Sequence, residues 1–175
     1  MNSGSVLVLG GARSGKSRYG EQIALASGLQ KVYVATAQAF DDEMDERIAD
    51  HKKRRDGSWS TIDAPLDLAG AVRQGARTEN VLLVDCLTLW LTNRMLGEGD
   101  EDKACDELAE LVPGLPGLTI FVSNEVGSGI VPDNSLGRRF RDAQGRLNQM
   151  MAAACDSVVL VVAGLPMILK GDRPL

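Results

Sequence analysis

Five runs of the chain are almost continuously Val, Leu and Ile: residues 5–10, 31–37, 81–85, 118–123 and 157–163. A strand with one wet face alternates apolar and polar side chains, whereas a strand covered on both faces reads as an unbroken apolar run. These runs therefore predict a parallel sheet sandwiched by helices. Between them, helical patterns occupy 15–27, 41–55, 66–77, 102–111 and 136–154. The β-α-β alternation predicts an α/β, doubly wound, single-domain fold with helices on both faces of a mostly parallel sheet. A shorter run, 58–63, predicts an added edge strand, and 97–100 and 113–117 are the clearest loops. No repeat, low-complexity segment or linker composition divides the 175 residues. In sheets of this kind ligands sit at the carboxyl ends of the strands.

The first run leads into Gly10, Gly11, Ala12, Arg13, Ser14, Gly15, Lys16 and Ser17, and a helix opens behind it. This is Gly, any four residues, Gly-Lys-Ser/Thr. The glycines let the backbone curl so that successive N–H groups point inward, and the helix adds its positive end. Such a loop cradles phosphates, with Lys16 reaching the β- and γ-phosphates and the Ser17 hydroxyl a site on Mg²⁺. The bland alternative is a plain glycine turn, and the strand before and helix after argue against it. The run 81–85 ends in Asp85, and a strand beside the first would deliver that carboxylate to Mg²⁺ opposite Ser17. Taken alone, Asp85 reads more readily as an Asp that ends a strand and caps the next segment, and the phosphate loop upstream reverses that balance.

Charge and cysteine content narrow the class. A net charge of -5 argues against a surface built to grip nucleic acid. Cys86, Cys105 and Cys155 are odd in number and lack metal-ligand spacing, and no charged and apolar leader precedes the first strand, so a reduced cytoplasmic protein is expected. No apolar run is long enough to cross a bilayer.

Residues 41–55 are acidic in their first half and basic in their second, an order that suits the helix dipole of a solvated surface helix. Met44, Ile48 and His51 nevertheless share a face turned toward the protein, and Arg47, His51 and Arg55 form an i, i+4, i+8 row. An imidazole between two guanidinium groups is held neutral beside anion-binding charge, equipped to attack phosphorus. His51 is the single histidine; a lone His on a charged helix is also commonly an exposed or packing residue.

Taken together, several segments resemble a known family. They are the loop Gly10 to Ser17, Tyr33-Val34-Ala35-Thr36-Ala37, Asp42-Glu43-Met44 with Arg47, Ile48 and His51, and Val84-Asp85-Cys86-Leu87-Thr88-Leu89-Trp90-Leu91-Thr92-Asn93. Later come Val122-Ser123-Asn124-Glu125-Val126-Gly127, Gly129-Ile130-Val131-Pro132, Arg139-Phe140-Arg141-Asp142, Asn148-Gln149 and Val162-Ala163-Gly164-Leu165-Pro166. The family is that of bifunctional adenosylcobinamide kinase and adenosylcobinamide-phosphate guanylyltransferase. The likeness runs from end to end; 97–117 carries no family motif, and Cys155 replaces an expected small apolar residue.

The resemblance implies a P-loop NTPase fold of RecA-like kind and two reactions of cobalamin assembly. A hydroxyl of adenosylcobinamide is phosphorylated from ATP or GTP, and GMP is then transferred from GTP to that phosphate through a guanylyl-histidine assigned to His51. Lys16 and Mg²⁺ would stabilise the departing pyrophosphate. Further nucleotide contacts implied are Ala35, Thr36, Ala37, the basic residues Lys52, Lys53, Arg54 and Arg55, and Asp63. A carboxylate at Asp63 accepts from the two N–H donors on guanine's Watson–Crick edge, which adenine lacks; the same Asp before Ala64-Pro65 also reads as a turn former. Residues 124–127 are a candidate substrate wall without a catalytic role, and 38–42 a candidate hinge for the His51 helix. A homotrimer with a small-molecule corrinoid substrate is also implied. The competing classes are a P-loop small-molecule kinase that moves only the γ-phosphate, and a nucleotide-dependent switch stimulated by a protein partner.

Overall fold

The structure is a computed structural model that describes residues 3–38, 57–97 and 99–174. Its strands are β1 (Gly4–Gly10), β2 (Gln30–Ala35), β3 (Trp59–Asp63), β4 (Asn80–Asp85), β5 (Leu118–Asn124), β6 (Ser157–Val162) and β7 (Leu165–Lys170). Its helices are α1 (Lys16–Ala26), α2 (Leu68–Gly75), α3 (Leu87–Leu96), α4 (Glu101–Leu111) and α5 (Ser135–Ala154), with a 3-10 turn at Val112–Gly114. The expected helix at 41–55 lies outside the described residues.

All seven strands join one sheet in the order β3-β2-β4-β5-β1-β6-β7. Every neighbouring pair is parallel except the hairpin of β6 and β7. The five apolar runs fall on β1, β2, β4, β5 and β6, and the run 58–63 becomes the edge strand β3. Alternate side chains divide the sheet into two cores, as strand geometry requires. Leu7, Leu9, Val34, Leu82, Val84 and Phe121 pack under α2, α3, α4 and α5, while Val6, Val8, Leu83, Ile120 and Val122 pack under α1 through Tyr19 and Ile23. Both faces are thus covered, though four of the five described helices lie on one of them.

Three expectations need correction. The strand carrying Asp85 is not beside β1, because β5 pairs with both and lies between them. Chain order does not set spatial order. β5 is buried along Leu118–Ser123, and the most fully apolar surroundings go to the middle of the sheet. Helix α3 was not expected, since its residues Leu87, Thr88, Trp90, Leu91 and Asn93 are buried and leave no clean polar face for periodicity to detect. Strand β7 was missed because Pro166 interrupts it. Proline is tolerated on an edge strand, and β7 ends the sheet.

Side-chain caps fix where the helices start. Asp67 accepts from the Gly70 amide at 2.9 Å, Asp100 from Lys103 at 3.0 Å and Asn134 from Gly137 at 2.7 Å, each satisfying an otherwise orphaned first-turn donor. At the other end of α5 the Lys170 ammonium donates to the carbonyls of Ala152, Ala153 and Cys155 at 3.0, 2.9 and 2.6 Å. A cation there complements the negative end of the helix.

Candidate active site

The carboxyl ends of the parallel strands converge on one rim, and the described candidate residues all lie along it. Gly10 closes β1 and leads into the loop to Lys16; Ala35 closes β2, with Thr36 and Ala37 just beyond; Asp63 closes β3 and Asp85 closes β4. Register sets Ala35 opposite both Asp63 and Asp85. His51, Lys52, Lys53, Arg54 and Arg55 lie outside the described residues.

Loop geometry follows from glycine chemistry. Gly15 adopts φ 97° as the N-cap of α1, a left-handed conformation that costs an L-residue about 1–2 kcal/mol. A side chain at Gly10 would meet the Ser14 hydroxyl and stand 2.7 Å from the Val161 carbonyl. The Ser14 amide donates to the Gly11 carbonyl at 3.3 Å, and the Gly164 amide donates to the Ser14 carbonyl at 2.8 Å. The β6–β7 turn therefore braces the loop. That support was not anticipated, although Ala163 and Gly164, both at positive φ (51° and 81°), carry the mark of a tight hairpin turn.

Lys16 and Ser17 face the loop and β4. The Lys16 ammonium donates to the Gly11 carbonyl at 3.1 Å, and the Ser17 hydroxyl donates to an Asp85 carboxylate oxygen at 3.4 Å. Burial lowers the Lys16 pKa below its ordinary 10.5, while the Asp85 charge pulls it partly back up. Burial also pushes the Cys86 thiol from 9.0 to about 11, with the Asp85 charge adding to the rise. Next to the lysine stands a neutral thiol, not a thiolate. Although β4 and β1 are not neighbours, α1 packs across β5 onto β4, with Gly20 against Leu83 and Val122, and so brings Ser17 to Asp85.

The strand tips are tied together by buried polar groups. Thr36, fully buried, donates through its hydroxyl to the Cys86 carbonyl and accepts from the Cys86 amide, both at 2.8 Å. On β5, the Asn124 amide donates to the Thr88 hydroxyl at 2.8 Å and the Glu125 amide to the Gly10 carbonyl at 3.0 Å. Ser123, Gln144 and Asn148 interlock behind them, and Asn148 donates to the Asn124 carbonyl at 3.0 Å. The linking role of these residues escaped sequence reasoning because isolated Thr, Asn and Gln residues carry no spacing signature. The segment 124–127 does reach the rim, beside the loop.

At the far end of the rim a cleft of about 350 Å³ opens beside Asp63, between the end of β3 and the first turns of α2. A second, of about 270 Å³, lies among α3, α4 and α5 and includes none of the rim residues. No described helix is long and apolar enough to cross a membrane.

Solved structures share the architecture. The flagellar accessory protein FlaH from Methanocaldococcus jannaschii aligns with a TM-score of 0.54 at 14% identity, over 98% of this chain and 80% of that one. An ATPase from a bacterial type III secretion system aligns with the same TM-score and identity, over 94% and 56%. At such identity the likeness is one of fold alone. Sequence relatives are closer. The bifunctional adenosylcobalamin biosynthesis protein CobP of Pseudomonas aeruginosa is 51% identical over 168 residues, 95% of this chain and 97% of its own. The CobU protein of Salmonella typhimurium, of the same description, is 38% identical over 180 residues, 94% and 99% of the two chains. The family model for cobinamide kinase / cobinamide phosphate guanyltransferase matches residues 6–169, from the strand before the phosphate loop to the edge strand β7, and the chain belongs to that family.

Proposed function

We propose that this chain phosphorylates adenosylcobinamide with ATP or GTP and then transfers GMP from GTP to adenosylcobinamide phosphate, giving adenosylcobinamide-GDP for cobalamin biosynthesis. The observation that carries this reading is the family relationship over residues 6–169. The phosphate loop, with Ser17 and Asp85 gathered at its mouth, supports it.

In the first reaction the substrate hydroxyl oxygen forms a bond to the γ-phosphorus and the bond to the β-bridging oxygen breaks. Gly10, Gly11, Ala12, Arg13, Ser14 and Gly15 supply the backbone cradle, and Lys16 places its charge on the outer phosphates. In the second, a neutral nitrogen of His51 bonds to the α-phosphorus of GTP and pyrophosphate leaves. An oxygen of the corrinoid phosphate then takes the GMP, the N–P bond breaks and the imidazole is restored. Two displacements let one nucleophile serve donor and acceptor in turn. Lys52, Lys53, Arg54 and Arg55 add positive charge on the same segment; Ala35 and Ala37 line the nucleotide, with the fully buried Thr36 holding the turn between them, and Asp63 accepts from guanine.

A Mg²⁺ ion fits the Ser17–Asp85 pair. A hydroxyl and a carboxylate are hard oxygen donors, and Mg²⁺ usually takes one or two such groups alongside phosphate and water. Ser17 and Asp85 would hold it, and it would supply positive charge against the phosphates. We further propose that residues 1–175 act as one nucleotide-binding unit, that the chain works in the cytoplasm, and that it assembles as a homotrimer. The apolar side chains exposed on β7, Leu165, Met167 and Leu169, support self-association.

The test uses GTP labelled at the α-phosphate. Incubation with Mg²⁺ is expected to leave acid-labile, base-stable label on the protein, and the His51→Ala variant none. Absence of label on a wild-type chain that still binds GTP would reject the covalent mechanism and leave a kinase that moves only the γ-phosphate.

A further inference from the structure

Helix α3 begins two residues after Asp85, and one of its side chains spans the two strand tips on the other side of the rim. Asn93 is 4% exposed. Its amide nitrogen donates to the Thr36 carbonyl at 2.8 Å and to the Pro65 carbonyl at 3.0 Å. Thr36 follows the end of β2, and Pro65 stands two residues beyond Asp63. Both amide hydrogens are thereby spent on two chain turns that belong to different strands. One turn earlier in the helix, the Trp90 indole donates to the Leu66 carbonyl at 2.9 Å, so the turn after β3 is held to α3 twice.

The arrangement is a clasp. Backbone pairing fixes β2 against β3 up to Ala35 and Asp63, and the Ala64 amide adds a last bond to the Ala35 carbonyl at 2.8 Å. Beyond that point the ladder ends, and the spacing of the Thr36 and Pro65 turns is set by Asn93. The same helix is joined to Asp85 through Cys86, whose backbone groups Thr36 grips on both sides. Asp85 itself closes a strand paired on both sides, to Ala35 and to Val122, so the turn whose place depends on Asn93 is the one after Asp63.

We propose that Asn93 is a positioning residue that fixes the turn after Asp63 and so the shape of a nucleoside slot in the cleft that Asp63 and Pro65 line. It thereby governs how much the guanosine moiety adds to binding, independently of the grip of the 10–17 loop on phosphates. The inference rests on the reading of Asp63 as the guanine acceptor. A planar base held edge-on by one carboxylate is sensitive to the placement of that carboxylate, because hydrogen bonds weaken steeply with distance and angle. The phosphate cradle is built from β1 and α1, and both Asn93 amide hydrogens go elsewhere.

The test compares dissociation constants for GTP and for inorganic tripolyphosphate, both with Mg²⁺, in wild type, Asn93→Ala and Asp63→Ala. Circular dichroism and melting curves establish that each variant is folded. In Asn93→Ala the GTP constant is expected to rise about tenfold, the effect of one well-placed hydrogen bond, with tripolyphosphate binding unchanged within about twofold. Equal weakening of both ligands, or no change in their ratio, would overturn the clasp. Should the alanine variant not fold, Asn93→Ser retains one donor and is expected to give a smaller change in the same ratio; an unchanged ratio there overturns the proposal as well. Asp63→Ala separates the two readings. If it leaves the ratio at the wild-type value, the guanine assignment falls, and the Asn93 variants still decide whether the slot is set by the clasp. If it collapses the ratio while a folded Asn93 variant does not, the clasp alone falls.

Discussion

Lys16, the lysine proposed to hold phosphate as a cation, is placed where burial disfavours its charge. Lys16 has its pKa lowered by desolvation, and the Asp85 charge offsets only part of that. The sign of the consequence is fixed. The free protein loses the Lys16 proton at a lower pH than an ordinary lysine, and bound phosphates restore it by stabilising the ammonium. Binding of tripolyphosphate at about pH 9 is therefore expected to take up a fraction of a proton, read as a calorimetric enthalpy that varies with the ionisation enthalpy of the buffer. Arginine stays protonated throughout this range, so in Lys16→Arg the part of the buffer dependence due to Lys16 is expected to vanish. A buffer dependence identical in both proteins would assign the proton to another group. The same burial acts oppositely on folding: above the lowered pKa the unfolded chain binds more protons at this site than the folded one, so Lys16 makes stability rise with pH up to its ordinary value of 10.5.

Among the elements, α5 illustrates how much a single residue on a neighbouring strand contributes. Lys170 on β7 donates to three carbonyls at the end of that helix, and no basic residue stands in the last turn of α5 itself. Replacement by Met retains the aliphatic stem and removes the cap. The expected loss is about 1 kcal/mol, seen as a melting temperature lower by about 2–4 °C for a chain of this size, with GTP affinity unchanged. An unchanged melting temperature would mean that water replaces the ammonium without cost. Elements also show what the sequence made legible. The strands β1, β2, β4, β5 and β6 announce themselves because a strand buried on both faces must be apolar throughout, and the rim residues follow because a polar or small residue ends each run. Asp85 was read in this way, whereas Asp63 was implied by the family resemblance. Helix α3 was not, since burial on nearly every side erases the period that marks a helix, and β7 was not, since its apolar residues face outward. Thr36 stood in the sequence only as an implied nucleotide contact and Asn93 only as the end of a family segment; the bonds they make are visible only after folding. Their role lies in which carbonyls they reach, and those belong to segments more than twenty residues away.

For the whole molecule, the two ends of the sheet are unequal. On β3 the outer positions are polar, Ser60 and Thr61 among them, whereas β7 exposes Leu165 (72%), Met167 (55%) and Leu169 (54%) at alternate positions, with Val162 (54%) paired to Leu165. An apolar row on an unpaired edge favours association with another chain unless it is covered. If β7 is the contact used in the homotrimer, the turn at Ala163 and Gly164 lies at the subunit boundary, and its hydrogen bond to Ser14 carries that boundary to the phosphate loop. Assembly would then steady the loop. Light scattering is expected to give three times the 18.7 kDa chain mass for the wild type. In the Leu165→Glu/Met167→Glu double variant it is expected to give the single-chain mass, with weaker tripolyphosphate binding. A variant that remains trimeric would place the contact elsewhere, and a wild type of single-chain mass would reject the trimer. Dissociation without any change in tripolyphosphate binding would separate assembly from the loop, leaving the Gly164 bond a support internal to one chain.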